Sequence, residues 1–267
     1  MTELDVWQAL TRAAQQRGPE PVLTHVDALT GARTELSAAT LRGWASKTAD
    51  ALTGELLAEP GDRVALLLPA HWIAVTFALG AWVAGLTVQL SSHPRASIAL
   101  VPTGAELPDA AELLVSALHP FGMPIPGGPP PGSSDHAVIV RGGADIWLGP
   151  SPGTTAVVLA EPARSWSWNE LTASLAAPAA LSSAPSGSGA PQRWLVPDTL
   201  PATQWLIAAT VLPIVYPAGV LLLSGAAAQS PEQRARLWDS EAITAEVQQA
   251  ASSGWQRATI KPGPGPD

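Results

Sequence analysis

Apolar side chains recur every three to four positions at the start of the chain. Leu4, Trp7, Leu10 and Ala14 share one helical face, with Thr2 and Asp5 as a capping-box start and Gly18-Pro19 as the stop. The period then shortens. Residues 21–27 and 33–36 flank Ala28-Leu-Thr-Gly31 and predict a hairpin. Ser37 is the predicted N-cap of a second helix, with Leu41, Trp44, Thr48, Leu52 and Leu56 on one side. That helix runs to a Pro60-Gly61 turn.

Residues 59–92 are the stretch around which the rest is organised, because no Asp, Glu, Lys or Arg occurs between Arg63 and Arg95. Residues 64–68 form a short apolar run between a Gly-Asp turn and Pro69, as a buried strand would. Residues 71–84 are apolar on every face, the pattern of a helix covered on both sides. Gly85 suits a left-handed helix end, and residues 86–90 begin a second strand. A helix of about 15 residues measures about 22 Å, short of a hydrocarbon core of about 30 Å, so the stretch predicts a buried strand–helix–strand unit around a parallel sheet.

Further along, residues 98–101 predict a strand and 109–119 an amphipathic helix, while Pro and Gly fill 120–134 as a loop or boundary. Residues 137–140 and 156–159 read as short strands, and Ser167 with Glu170 as the capping box of a helix over 168–176. Residues 182–192 have linker composition. Residues 193–196 predict a strand, 204–215 an apolar helix and 219–223 another strand. Pro213, Pro217 and Gly219 break what is otherwise a second uncharged stretch. Ser230 to Gln233 open a helix, a polar helix follows over 241–251, and 261–267 reads as a disordered tail. The expected organisation is one α/β unit over 1–260, with sub-lobes at about 1–119 and 137–260 joined by the loop 120–136.

Composition narrows the function. The chain has 267 residues, 13% of them charged, and a net charge of −8, so no basic stripe exists to neutralise nucleic-acid phosphates. Cysteine is absent, which removes disulfides, thiolate metal sites and thiol nucleophiles. Arg outnumbers Lys, and Ala, Gly, Pro and Trp are abundant, as in GC-rich, for example actinobacterial, coding sequence. The first residues lack the features of a secretion signal, which makes the cytoplasm the expected compartment. The five His, at 25, 71, 93, 119 and 136, show no metal-binding spacing and are expected to be surface or hydrogen-bonded structural groups. No G-x-S-x-G elbow and no G-x-G-x-x-G loop occurs. Trp7, Trp44 and Trp82 fit core positions. Trp166 and Trp168 fit either core or a ligand groove.

From about residue 7 to residue 94 the chain resembles the start of the AMP-forming acyl-CoA synthetases and adenylation domains, the acetyl-CoA-synthetase-like superfamily. Pro60-Gly-Asp-Arg-Val-Ala-Leu-Leu-Leu-Pro69 matches their P-G-D-R-V-A-[LI]-x-L-P segment. Leu36-Ser-Ala-Ala-Thr-Leu41 matches L-[TS]-Y-x-E-L with Ala38 for Tyr and Thr40 for Glu. The resemblance implies an N-terminal domain fragment of that α/β fold, with largely parallel or mixed sheets flanked by helices.

The matched segments are scaffold in that superfamily. Its adenylation loop, [TS]-S-G-T-T-G-x-P-K-G, holds phosphate on backbone N–H groups and hydroxyls while Lys adds charge. The nearest stretch here is Ser151-Pro-Gly-Thr-Thr155, so Ser151, Gly153, Thr154 and Thr155 are the candidate cofactor-binding remnant. Pro152 removes one donor, and the following Gly, Pro and Lys are missing. No Y-G-x-T-E or downstream T-G-D segment follows. Neither Lys47 nor Lys261 stands where the catalytic Lys would. The expectation is therefore a non-catalytic protein with no catalytic or metal-binding residue, acting by binding a protein or small-molecule partner. ATP or AMP enters only as the resemblance implies. A degenerate or split acyl-adenylating ligase is the first alternative and a membrane-associated protein the second. Homodimerisation is the expected assembly if a missing half leaves an apolar face uncovered.

Overall fold

The first helix begins where Asp5 and Gln8 satisfy each other's backbone N–H groups, and it runs over Val6–Arg17 (α1). Thr2 lies outside the described residues, which in this computed structural model are 4–91, 96–176, 192–216, 218–249 and 255–258. The hairpin follows as Pro21–Asp27 (β1) and Arg33–Ser37 (β2), and Ser37 accepts from the Thr40 N–H to start Ala38–Asp50 (α2). One wide turn, Ala51–Glu55, ends α2. The uncharged stretch becomes Arg63–Leu66 (β3), Trp72–Val83 (α3) and Thr87–Gln89 (β4). Every residue of α3 is buried, as its uniformly apolar sequence requires. Gly85 turns the chain with φ 78°, in the left-handed region that favours glycine.

Next come Ile98–Pro102 (β5), Glu112–Ser116 (β6), Ser134–Asp135 (β7), His136–Gly142 (α4), Val157–Glu161 (β8), Arg164–Ser167 (β9) and Trp168–Ala176 (α5). The chain continues as Gln192–Pro197 (β10), Ala202–Val215 (α6), Ala218–Ser224 (β11), Pro231–Ser240 (α7), Ala245–Gln249 (β12) and Trp255–Ala258 (β13).

Two mixed sheets result. One has the order β13-β12-β10-β11-β1-β2, parallel through its four middle strands and antiparallel at both edges. The other has the order β7-β6-β5-β3-β4-β8-β9, parallel except for β9. Each sheet takes strands from both sides of residues 120–136, so the sheets do not follow the stretches expected as sub-lobes. The main core lies between the sheets, built on α3 and α6 with Val64, Leu66, Val88, Val196 and Leu222. Leu195, Leu221 and Leu223 point to the opposite face of their sheet and pack under Trp238 of α7. Strands buried on both faces read as continuous apolar runs, which is why they were legible.

Three predicted elements are corrected. Residues 109–119 hold strand β6 and no amphipathic helix. Leu114 enters the main core while Leu113 packs against the small cluster on the other face, and β5 supplies a parallel partner throughout. Residues 137–140 lie in helix α4 and not in a strand: the Asp135 carboxylate accepts from the Ala137 N–H at 2.8 Å and caps it, overriding the β-branched run. The helix expected over 241–251 is replaced by strand β12, in which Ala245 and Val247 enter the core while Glu246 pairs with Arg234. Its Glu, Gln and Ala favour a helix, but a parallel partner in β10 decides the outcome. β9 went unpredicted, and Pro213 sits buried inside α6 without ending it. The linker at 182–191 and the tail at 261–267 lie outside the described residues. Among the described residues no helix is long and apolar enough to cross a membrane.

Candidate functional site

Ser151, Gly153, Thr154 and Thr155 lie together in the loop that leads into β8, where the starts of α1 and α5 meet the turn after α3. The Ser151 hydroxyl donates to Asp5 Oδ2, while Asp5 Oδ1 accepts from the Gln8 N–H at 2.8 Å. One buried carboxylate thus caps α1 and fastens the loop. The Gly153 N–H donates to Ser151 Oγ at 3.2 Å. The Thr154 carbonyl accepts from the Asn169 N–H at 3.0 Å, and Thr154 Oγ1 accepts from Asn169 Nδ2 at 3.3 Å. Pro152 packs so close to the Gly85 turn that a Cβ on Gly85 would stand 3.4 Å from its ring. Trp168 completes the junction, its indole N–H donating to the Leu4 carbonyl at 2.8 Å. It belongs to the core, as does Trp166.

A phosphate cradle needs donors that converge on an open space, with positive charge nearby. Here the Gly153 N–H and the Ser151 hydroxyl are engaged within the chain, Pro152 has no N–H, and the nearest charge to Ser151 is the Asp5 carboxylate. Lys47 lies on α2, paired with Asp145 at 2.9 Å and donating to the Gly143 carbonyl at 3.2 Å. Thr155 is exposed.

A second group of polar side chains lies buried between the sheets. His25 of β1 and His71, the N-cap of α3, meet edge to face with ring centres 4.4 Å apart. His71 Nδ1 accepts from the Ile73 N–H at 3.2 Å. His136 begins α4 beside Phe77, its ring nitrogens without partners. Burial pushes His25 down to about 4 and His136 down to about 4. Burial, with His25 adding to it, pushes His71 down to about 3. Among the described residues no group of three or more His, Asp or Glu is arranged to hold a metal ion.

His25 Nε2 lies 3.0 Å from Ser224 Oγ, a contact between residues 199 positions apart that only the β1–β11 pairing creates. The distance is that of a nucleophile and its base, but the surroundings are not. The N–H groups after the serine, those of Gly225 and Ala226, donate to the Asp198 carboxylate at 2.7 and 3.1 Å, where an oxyanion would need them. A histidine held near 4 is also a weak base at neutral pH. The pair closes the ends of two strands, as the Asp198 carboxylate does beside it.

No family model matches the chain. Over 131 residues it is 42% identical to the TIGR03089 family protein of Mycobacterium tuberculosis, a match covering 45% of this chain and 53% of that protein. Among solved structures it is similar to an acyl-CoA synthetase of Brucella canis, with a TM-score of 0.68 at 18% identity over 92% of this chain and 47% of the enzyme. The N-terminal domain of FACL13 from Mycobacterium tuberculosis aligns with a TM-score of 0.59 at 17% identity, over 91% of this chain and 62% of that one. Acetoacetyl-CoA synthetase from Streptomyces lividans gives a TM-score of 0.67 at 16% identity, over 90% of this chain and 42% of the enzyme. The fold is that of the N-terminal part of AMP-binding acyl-CoA synthetases, and the chain spans about half the length of the relatives it matches.

Proposed function

We propose that the chain is a non-catalytic relative of AMP-binding enzymes that acts by binding a protein or small-molecule partner. The observation that carries this reading is the Ser151–Asp5 hydrogen bond. It sets a carboxylate against the loop that resembles a phosphate cradle, and with the Gly153 and Thr154 contacts it makes that loop a strut between α1, β8 and α5. Calorimetric titration of the purified protein with ATP, AMP and a non-hydrolysable acyl-adenylate tests it. No heat of binding is expected from any of the three; saturable binding of one would overturn the reading.

A second reading, a degenerate or split acyl-adenylating ligase, is favoured by the fold shared with acyl-CoA synthetases. In a split acyl-adenylating ligase the remaining half comes from another polypeptide, and Ser151, Gly153, Thr154 and Thr155 contact nucleotide only once it has docked. Titration of the acyl-adenylate into a complex isolated with such a polypeptide separates the two, since only the split enzyme would then bind it.

A further inference from the structure

Five of the nine large apolar side chains that lie exposed among the described residues fall between positions 121 and 148: Phe121 at 72%, Met123 at 44%, Val138 at 56%, Ile146 at 63% and Leu148 at 91%. All five sit on α4 or on the segments that run into and out of it. Arg141 joins the incoming segment to the helix, donating to the Phe121 carbonyl at 3.2 Å and to Met123 Sδ at 3.4 Å, and Val138 lies one turn away on the same face. The outgoing segment is fastened to α2, with the Ser46 hydroxyl donating to the Ala144 carbonyl at 2.9 Å and the Ala144 N–H donating to Asp50 Oδ2 at 3.0 Å. The segments that carry the exposed apolar groups are therefore fastened at Phe121, Met123 and Ala144.

We infer that this face pairs with a second copy of the chain. The inference rests on the binding reading above and names its partner. The five side chains expose on the order of 500 Å² of apolar surface, close to the apolar share of the roughly 800 Å² that each partner contributes to a standard interface. Of the cations at the face, Lys47 pairs with Asp145, and the Arg141 guanidinium is turned back onto the Phe121 carbonyl and Met123 Sδ. Like apolar faces can thus meet about a two-fold axis without needing a partner of opposite charge. The other route to self-association, pairing of sheet edges, is poorly served. Of the four edge strands, β2 carries Arg33 and Glu35 on its edge, β9 carries Arg164 stacked on Trp166, β7 has only two residues, and β13 has four.

Light scattering over a concentration series tests the inference on the whole protein, with Val138→Asp, Leu148→Asp and, outside the face, Leu107→Asp. The expected result is twice the 27.5 kDa chain mass for the wild type and for L107D, and a twofold lower mass for V138D and L148D with unchanged thermal melting. Amide exchange gives a second readout that needs no variant, and exchange across 136–148 should slow as the wild-type concentration rises. A wild type of single-chain mass throughout would overturn the inference. So would a dimer that V138D and L148D leave intact, concentration-independent exchange across 136–148, or a different protein occupying this face of a monomeric chain. Nucleotide binding would overturn the non-catalytic reading without touching this one, because mass and heat are measured separately.

Discussion

Gly80 shows how one atom can decide a helix contact. A Cβ there would stand 2.3 Å from Thr48 Cβ and 2.9 Å from the Ala45 carbonyl oxygen, so α3 reaches α2 only because the side chain is missing. Gly80→Ala is expected to destabilise the fold by about 1–3 kcal/mol through overpacking. Gly43 also lies in a helix but meets nothing within 4 Å, and Gly43→Ala should stabilise by about 0.5–1 kcal/mol. Urea midpoints of the two variants check the opposite signs. The buried histidines make stability depend on pH on the acid side of neutrality. Their values of about 4, 3 and 4 lie below the 6.5 of an unfolded chain, so the unfolded state binds more protons in between. Their contribution is complete above about pH 6.5 and falls as pH drops toward 4, by about 1.4 kcal/mol per unit for each group. Asp27 and Glu241 are held low by hydrogen bonds, so their contributions fade in the more acid range below their ordinary carboxylate values. His136→Leu should flatten the stability profile between pH 4 and 6.5, because it replaces a ring with two unpartnered nitrogens. A profile as steep as the wild type's would contradict the assignment.

At the scale of elements, the Asp5 carboxylate couples α1 to the loop before β8, and that coupling is measurable. Asp5→Ala should cost about 1–2 kcal/mol as a lost helix cap, and Ser151→Ala about 1 kcal/mol. The double variant should cost less than the sum, since each change removes the shared hydrogen bond. Additive effects would mean that the loop is not fastened there. Caps and breakers made many elements legible in the sequence. Ser37 and Ser230 start their helices where expected, and Gly85 turns as predicted. Two of the misread elements are decided from outside their own residues: β6 and β12 are strands because β5 and β10 offer parallel partners. The third, α4, starts at a local cap, Asp135, which the β-branched run after it masks in the sequence. The candidate loop was legible as a segment. Its chemistry was not, because Ser151 meets a carboxylate 146 positions away.

For the whole molecule, the uncharged stretch that predicted a buried strand–helix–strand unit is the middle of a core shared by two sheets. The Pro60–Pro69 resemblance pointed to the fold that the solved relatives share. Neither conveyed how the sheets draw strands from distant parts of the chain, because pairings such as β1 with β11 leave no local mark. In the reading proposed above, the chain keeps the fold of the N-terminal part of acyl-CoA synthetases, and the loop from Ser151 to Thr155 serves as a strut and not as a nucleotide site. ATP–pyrophosphate exchange, measured on the purified protein across a panel of carboxylic acids, tests that claim most directly. The account predicts exchange indistinguishable from a protein-free control with every acid. Sustained exchange with any acid, abolished by substituting Thr154 and Thr155, would contradict it.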